Sequence, residues 1–349
     1  MSVNRGVVVH AARDLRVDNL PDPEPGPGEV VLDVAYGGVC GSDLHYVDRG
    51  GVGDFMLREP MVLGHEVVAR VGAVGSGVGS VRDTEVVPGL AVAVHPAIAC
   101  GHCEQCRTGR ANICRQVTYL GSAARFPHVQ GGFAQHVLVR ADQLVPLPDG
   151  LDLRQAAVAE PLAVALHALD RAGDVAGRHL LVTGAGPIGC LLVAAARDRG
   201  AAEIVVTDLT DEALAIAAAV GATTTLRADA LTPDDWSDVV ADLAVEASGS
   251  ASGLGTCVER VRRGGTVVQL GLLPPGMTPL LGNVLVTREI ELRGAFRFTH
   301  EIEDAVRMLD RGLNVEPVIT HVLPLDQTAQ AFAVARDRTK ASKVLIAFD

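Results

Sequence analysis

Cys100, Cys103, Cys106 and Cys114 follow one another at the spacing C-x2-C-x2-C-x7-C. Four thiolates on one short loop can close a tetrahedral shell around zinc with no position left open, which is the pattern of a structural site. A second set, Cys40, His65, Glu66 and Glu160, offers sulfur, nitrogen and oxygen ligands. Zinc held by a mixed set keeps a place for water or substrate, so this second set is the catalytic candidate. The competing reading of the cysteine run is an oxidised disulfide cluster, which suits a small secreted domain. Met1 to His10 is not a basic segment followed by an apolar one, so the expected compartment is cytoplasmic, with reduced thiols.

The neighbours of these residues have roles of their own. In VCGSDLHY, Ser42 and His45 can relay a proton outward, and Asp43 can orient a ligand histidine from behind. Glu66 poses a geometric problem, because in an extended strand its side chain faces away from that of His65. An irregular turn at Gly64 would relieve it. Glu160 precedes Pro161 in AAVAEPLAVALHAL, and proline disfavours helix for the residue before it. Its carboxylate is therefore expected at a helix junction, facing an interdomain cleft, or else as an acid at a helix N-terminus. Which of Glu66 and Glu160 binds zinc directly stays open here. Cys190 and Cys257 fall in apolar helices and read as packed thiols. His102 reads as a solvated loop residue, and His10, His95, His136, His167 and His321 as structural.

LLVTGAGPIG carries Gly184, Gly186 and Gly189 in the pattern G-x-G-x-x-G, after a strand and at the opening of an Ala-rich helix. In that context the pattern signals a dinucleotide site. The first glycine permits a tight turn, the second lets backbone approach a pyrophosphate, and the third lets helix pack on strand. The helix N-terminus, at Pro187 and Ile188, attracts phosphate charge. Asp208 lies 19 residues after Gly189, at the end of IVVTD. A carboxylate there can bind both ribose hydroxyls and repels a 2′-phosphate, so NAD is favoured over NADP; the competing role is an N-cap for the next helix.

Elements must position these groups. The N-terminal third reads as short strands, Val7–His10, Val30–Ala35, Val67–Val71, Leu90–His95 and Phe133–Val139, with irregular loops and a turn at Pro21–Gly28. From Leu151 strands alternate with helices: His179–Thr183, Pro187–Arg199, Glu203–Asp208, Asp211–Val220, Asp242–Ala247, Gly253–Arg262 and Thr266–Leu270. Such alternation predicts a parallel sheet covered on both faces. After Gly294 come shorter elements, a helix at Ile302–Arg311 and a final strand at Lys343–Phe348. The expected class is α/β, with a β-rich catalytic domain over 1–150 and 295–349 and a cofactor domain over 151–294.

The charge and composition narrow the partners. A net charge of −12 opposes a non-specific phosphate-binding surface, and 3% aromatics make stacking platforms for nucleic acid unexpected. No apolar stretch reaches the ~20 residues of a membrane span. Of the 30 Lys and Arg residues only Lys340 and Lys343 are lysine, a bias with no functional reading. The expected partner is a small molecule, with no nucleic acid and no membrane. A zinc-bearing binding protein is the non-enzymatic alternative, disfavoured by the acidic charge and the intact Cys40, Ser42, His45 and His65.

With these residues placed, the chain resembles the zinc-dependent medium-chain dehydrogenase/reductase superfamily over its length. The resemblance is to the polyol branch, which contains sorbitol dehydrogenases and L-idonate 5-dehydrogenases. CGSDLHY, PMVLGHE, the four-cysteine lobe, AEPLAVALHA, GAGPIG and RGAFRF carry it, and GSAARFPHVQGGF and FRFT look like the L-idonate 5-dehydrogenase group. It implies a GroES-like catalytic domain, a Rossmann domain, two zinc ions per chain, NAD, and a homotetramer. It also implies that Tyr46, Glu160, Arg297 and Phe298 line the substrate pocket. Ile188, Asp208, Leu270, Gly271, Leu272, Ala295, Phe296 and Arg297 would touch NAD. An arginine often found five residues after the ribose-binding acid is Ala213 here, and Phe298 stands where sorbitol dehydrogenases commonly carry tyrosine. The implied reaction is oxidation of a secondary alcohol, with L-idonate giving 5-keto-D-gluconate, then sorbitol or xylitol, then L-threonine as further substrates. Arg297 is the expected cation for a substrate carboxylate.

Overall fold

Runs of β-branched residues that are apolar on both faces fold as buried central strands. In the computed structural model, which describes residues 4–230 and 239–348, Glu29–Gly38 pairs antiparallel with Glu66–Val74 at the centre of the N-terminal sheet. The order across that sheet is Leu144–Pro146, Ala91–Val94, Glu66–Val74, Glu29–Gly38, Lys343–Ala347, Ile319–Pro324. His136–Arg140 also pairs with Glu29–Gly38. The end of the chain thus returns to the first sheet, and Lys343–Ala347 lies beside Glu29–Gly38. A smaller sheet joins Asp14–Leu20, Asn4–Ala11 and Met61–Val62. Pro21–Gly28 has no regular structure, as its prolines require.

Two expectations shift. The strand read as Phe133–Val139 begins only at His136, and Phe133 instead fills the core, fully buried. Residues read as loop form a helix, Gly41–Arg49, with Cys40 as its N-cap. The Asp43 carboxylate accepts from the Cys40 backbone N–H at 3.0 Å, half of a capping box. The box is hard to see in the sequence because cysteine stands where serine or threonine is usual.

The second sheet is parallel throughout, in the order Thr224–Arg227, Glu203–Asp208, His179–Thr183, Ala241–Glu246, Val261–Gln269, Glu291–Gly294. Numbered along the chain this is 3-2-1-4-5-6, the doubly wound Rossmann order. Direction reverses between His179–Thr183 and Ala241–Glu246, so the crevice for a dinucleotide opens beside the glycine-rich turn. The edge strands Thr224–Arg227 and Glu291–Gly294 are short and polar and carry no apolar run to announce them. The helices Gly282–Arg288 and Thr328–Arg336 and the strand Ile319–Pro324 are likewise absent from the pattern reading.

Helix Ala159–Ala172 holds the two sheets together. Leu162, Leu166 and Leu169 are fully buried and share one core with Val68 and Ala93 of the first sheet, with Leu180 and Val245 of the second, and with Leu191 of the helix Pro187–Asp198. Helix Glu301–Asp310 packs on the same helix through Ile302, Ala305 and Leu309. Among the described residues no helix is long and apolar enough to cross a membrane.

Candidate active site

The four-cysteine segment folds as a small lobe. Cys103 caps the one-turn helix Glu104–Arg107, and Cys114 follows the 3-10 turn Ala111–Ile113. The sulfurs of Cys100 and Cys106 are 3.9 Å apart, those of Cys103 and Cys106 3.5 Å, and those of Cys103 and Cys114 3.8 Å. Tetrahedral zinc with Zn–S near ~2.3 Å requires sulfurs about 3.8 Å apart, so the quartet fits the ion. Backbone N–H groups of Cys103 and Gln116 donate to the Cys100 and Cys114 sulfurs, which suits thiolates better than thiols. All seven cysteines are free, so no disulfide forms within the described residues. His102 is exposed, and Cys190 and Cys257 are fully buried, each thiol pushed up to about 12 by burial.

Cys40, His65 and Glu66 place one ligand atom each within 4.8 Å of one another. Each owes its place to a local device. Cys40 sits at a helix N-terminus, where the aligned peptide dipoles favour a thiolate. Gly64 at φ +94 turns the chain just before His65, and a side chain there would run into the Phe133 ring. That turn answers the Glu66 difficulty: His65 lies outside the strand and Glu66 is its first residue. Lys343 holds the Glu66 carboxylate from behind, at 2.8 and 2.7 Å. Asp43, fully buried, accepts from Gly64 N–H at 3.2 Å and lies 3.9 Å from His65 Nδ1, too far for a hydrogen bond.

Glu160 stands beside this trio rather than within it. It lies in the first turn of Ala159–Ala172, just past the break that follows Leu153–Ala156, so it stands at a helix junction as expected, and Pro161 there costs no helical hydrogen bond. Tyr119 Oη donates to its Oε1 at 2.7 Å. Burial pushes the Glu160 carboxyl up to about 7, with His65 opposing the rise and Glu66 adding to it. Burial disfavours a charged His65, yet Cys40, Asp43 and Glu160 outweigh it and hold the imidazole proton up to about 10. A pocket that stabilises positive charge so strongly fits a divalent cation in place of that proton, with the imidazole then neutral. On the helix from Gly41, Ser42 is half-buried and His45 exposed one turn later, on the same face. Burial and then Arg49 hold His45 below its ordinary 6.5.

The dinucleotide site matches the glycine logic. Gly184 adopts φ +99 and its Cα packs on the backbone of Ser248, while a side chain at Gly189 would meet the Gly184 carbonyl. Gly186, the N-cap of Pro187–Asp198, has open space where a side chain would be, a cradle for a phosphate. Asp208 accepts from Ala185 N–H at 2.7 Å through Oδ2 and from Leu209 N–H at 2.7 Å through Oδ1. The N-cap of the following helix is Thr210, which accepts from Ala213, so Asp208 does not fill that role. Ile188 is half-buried, Gly271 packs on Gly249, and Leu270 ends beside them with Leu272 71% exposed.

Arg297, in the left-handed region at φ +53, lays its guanidinium 4.2 Å from the Tyr119 ring centre and 4.8 Å from that of Phe296. It forms no ion pair with a protein carboxylate among the described residues. Two residues expected in the substrate pocket are buried against neighbouring side chains. Tyr46 is buried in the first core, its hydroxyl accepting from Ala123 N–H at 2.9 Å. Phe298 is 2% exposed and packs against His95, with ring centres 4.9 Å apart. Ala295 is buried just before them.

Three residues of this site carry no sequence signal. Tyr119 and Lys343 reach it only through chain pairing. Glu246, fully buried at the end of Ala241–Glu246, accepts from Ser248 N–H at 2.8 Å and from Gln269 Nε2 at 2.6 Å, shaping the loop against which Gly184 packs.

The comparisons agree with this geometry. Residues 26–149 match the family model for the alcohol dehydrogenase GroES-like domain, and residues 187–311 that for zinc-binding dehydrogenases. The chain is 39% identical to L-idonate 5-dehydrogenase (NAD(P)(+)) of Escherichia coli K12, covering 91% of each chain. It is 36% identical to sorbitol dehydrogenase of Gallus gallus, covering 99% of this chain and 97% of that one. The crystal structure of L-idonate 5-dehydrogenase from Escherichia coli K-12 superposes with a TM-score of 0.92 at 37% identity over 99% of both chains. A zinc-binding dehydrogenase of Sinorhizobium meliloti 1021, bound to NADP, superposes at 0.90 and 30% identity over the whole of both chains.

Proposed function

This chain belongs to the zinc-binding dehydrogenase family, an oxidoreductase acting on CH–OH donors with zinc and a nicotinamide cofactor, and on that premise we propose that it oxidises the C5 hydroxyl of L-idonate to give 5-keto-D-gluconate. One observation carries the substrate assignment: Arg297, stacked on Tyr119, makes no salt bridge with a protein carboxylate among the described residues, and Glu160 acts on it only at longer range. A substrate carboxylate supplies that partner, and a guanidinium presents its N–H groups in the fork that a carboxylate matches.

Cys40, His65 and Glu66 would hold the catalytic zinc, Glu160 standing by, and Cys100, Cys103, Cys106 and Cys114 the structural one. When bound, zinc would make the alcohol hydroxyl more acidic and a nicotinamide would serve as hydride acceptor. The chain's own groups do the rest. Ser42 accepts the hydroxyl proton as it gives up its own, and neutral His45 takes that proton on towards solvent. Gly184, Gly186 and Gly189 seat the pyrophosphate on the helix from Pro187, and Ile188, Leu270, Gly271, Leu272, Ala295 and Phe296 flank the nicotinamide side. Asp208 binds the ribose hydroxyls, which favours NAD over NADP by repulsion of a 2′-phosphate.

A division at 1–150 with 295–349, and 151–294, accords with the return of Lys343–Ala347 to the first sheet. A homotetramer and a cytoplasmic location complete the proposal. Sorbitol or xylitol is the second substrate reading, favoured by the sorbitol dehydrogenase relative of Gallus gallus. Initial rates with L-idonate, D-gluconate, sorbitol, xylitol and L-threonine, each with NAD and NADP, test it. L-idonate with NAD should give the highest kcat/KM; sorbitol as the better substrate would overturn the assignment.

A further inference from the structure

A cavity of about 360 Å³ opens beside Tyr119 and Arg297. Among the described residues its wall includes Arg115 and Arg125 besides Arg297, and no aspartate or glutamate. In a chain of net charge −12 a cavity lined by three guanidinium groups and no acid runs against the background. Tyr119 joins it to the catalytic groups, since its hydroxyl donates to Glu160 and its ring lies 5.7 Å from that of His65.

Arg125 is fixed for a purpose. Its Nη2 donates to the Arg115 carbonyl at 2.7 Å and its Nε to the Val117 carbonyl at 3.4 Å. Arg125 is exposed, and a guanidinium has five N–H donors, so these two bonds orient the head and leave three N–H groups for a ligand. Such pre-set donors lose little entropy when they bind an anion. Arg115, exposed at the rim, adds long-range attraction without a fixed contact. A six-carbon acid with its reacting hydroxyl toward Cys40 and His65 would extend its carboxylate past Tyr119 into this cavity.

We propose that the cavity reads the negative charge of the substrate, and that Arg125, with Arg115 at the rim, sets the preference for a sugar acid over a neutral polyol. The inference rests on the sugar-acid reading above, and the test separates the two. In Arg125→Gln, kcat/KM for L-idonate should fall on the order of tenfold, through KM, and that for sorbitol far less. Arg125→Lys, which keeps charge but not the fork, should lie between parent and Arg125→Gln. At saturating NAD, raising the salt should raise KM for L-idonate more than that for sorbitol, because of the two substrates only L-idonate is charged. As a probe that needs no acid turnover, tartrate should compete against sorbitol, with a Ki that rises in Arg125→Gln. If L-idonate is not oxidised but tartrate competes through Arg125, the L-idonate assignment fails while the cavity still selects an anionic substrate. Equal losses for both substrates, or tartrate inhibition indifferent to Arg125 and to salt, would overturn it.

Discussion

Lys343 holds Glu66: its ammonium lies 2.8 and 2.7 Å from the two carboxylate oxygens, with both residues no more than 2% exposed. The pair joins the last strand of the chain to the first residue of Glu66–Val74 at the floor of the metal site. It gives a buried carboxylate a partner and aims it beside Cys40 and His65. Removing one partner leaves an uncompensated charge, which costs on the order of 3–5 kcal/mol. Lys343→Met should therefore melt well below the parent and hold less zinc, whereas Glu66→Gln combined with Lys343→Met should cost less than the two separate losses together. Urea unfolding of all four proteins with zinc analysis checks it; strict additivity would mean that the pair is not coupled.

The two cysteine sites should fail in different ways. Cys40→Ser removes a ligand from the open set and should abolish turnover with little loss of melting temperature. Cys103→Ser breaks the closed quartet and should lower stability or assembly first. Metal content and thermal melting of both variants decide, and a Cys103→Ser protein with normal melting and full zinc would refute the structural role.

Asp208→Ala should narrow the preference for NAD over NADP, because it removes the repulsion of a 2′-phosphate. The Asp208 carboxylate also holds the Ala185 N–H of the glycine turn, so affinity for both cofactors should drop. Measuring kcat/KM with each cofactor separates the effects. An unchanged ratio would leave Asp208 with the loop-holding role alone.

Arg297→Ala should cost L-idonate on the order of ten- to a hundredfold in kcat/KM, the worth of a partly desolvated charge-assisted contact of roughly 1.5–3 kcal/mol. Sorbitol, lacking a carboxylate, should lose less. Equal losses would show that Arg297 orders the loop from Ala295 for every substrate.

Glu301 offers a pH-dependent test away from the metal. Burial raises its carboxyl, but the His167 ring at 2.6 Å and the Thr299 backbone N–H outweigh that and bring it down to about 2 from an ordinary 4.5. A depressed carboxyl contributes stability that is full above the unfolded value and is lost as the pH falls towards the folded one. The stability margin of the parent over Glu301→Gln should be constant above 4.5 and shrink below it. Urea midpoints across that range read it out; a margin independent of pH would mean that Glu301 acts by packing alone.

The chemistry of this protein was legible in its residues because ligand types and short spacings are local properties. The four-cysteine run, the glycine turn with Asp208, and Cys40 with His65 needed no tertiary information, and the strand–helix alternation after Leu151 announced a parallel sheet through apolar periodicity. Sequence could not choose between Glu66 and Glu160, since that choice depends on where a strand begins and on a lysine 277 residues away. It could not show that Tyr46 and Phe298 are buried, since aromatic character suits a pocket wall and a core equally until packing decides. It missed the helix at Gly41 because cysteine hides the cap, and the edge strands because they bury too little to require an apolar run. Tyr119 and Lys343 act through contacts between segments distant in the chain, and Arg125 shares its cavity with the distant Arg297. Only the folding of the last strands back onto the first sheet, and of the cysteine lobe against Arg297, brings their charges to the site.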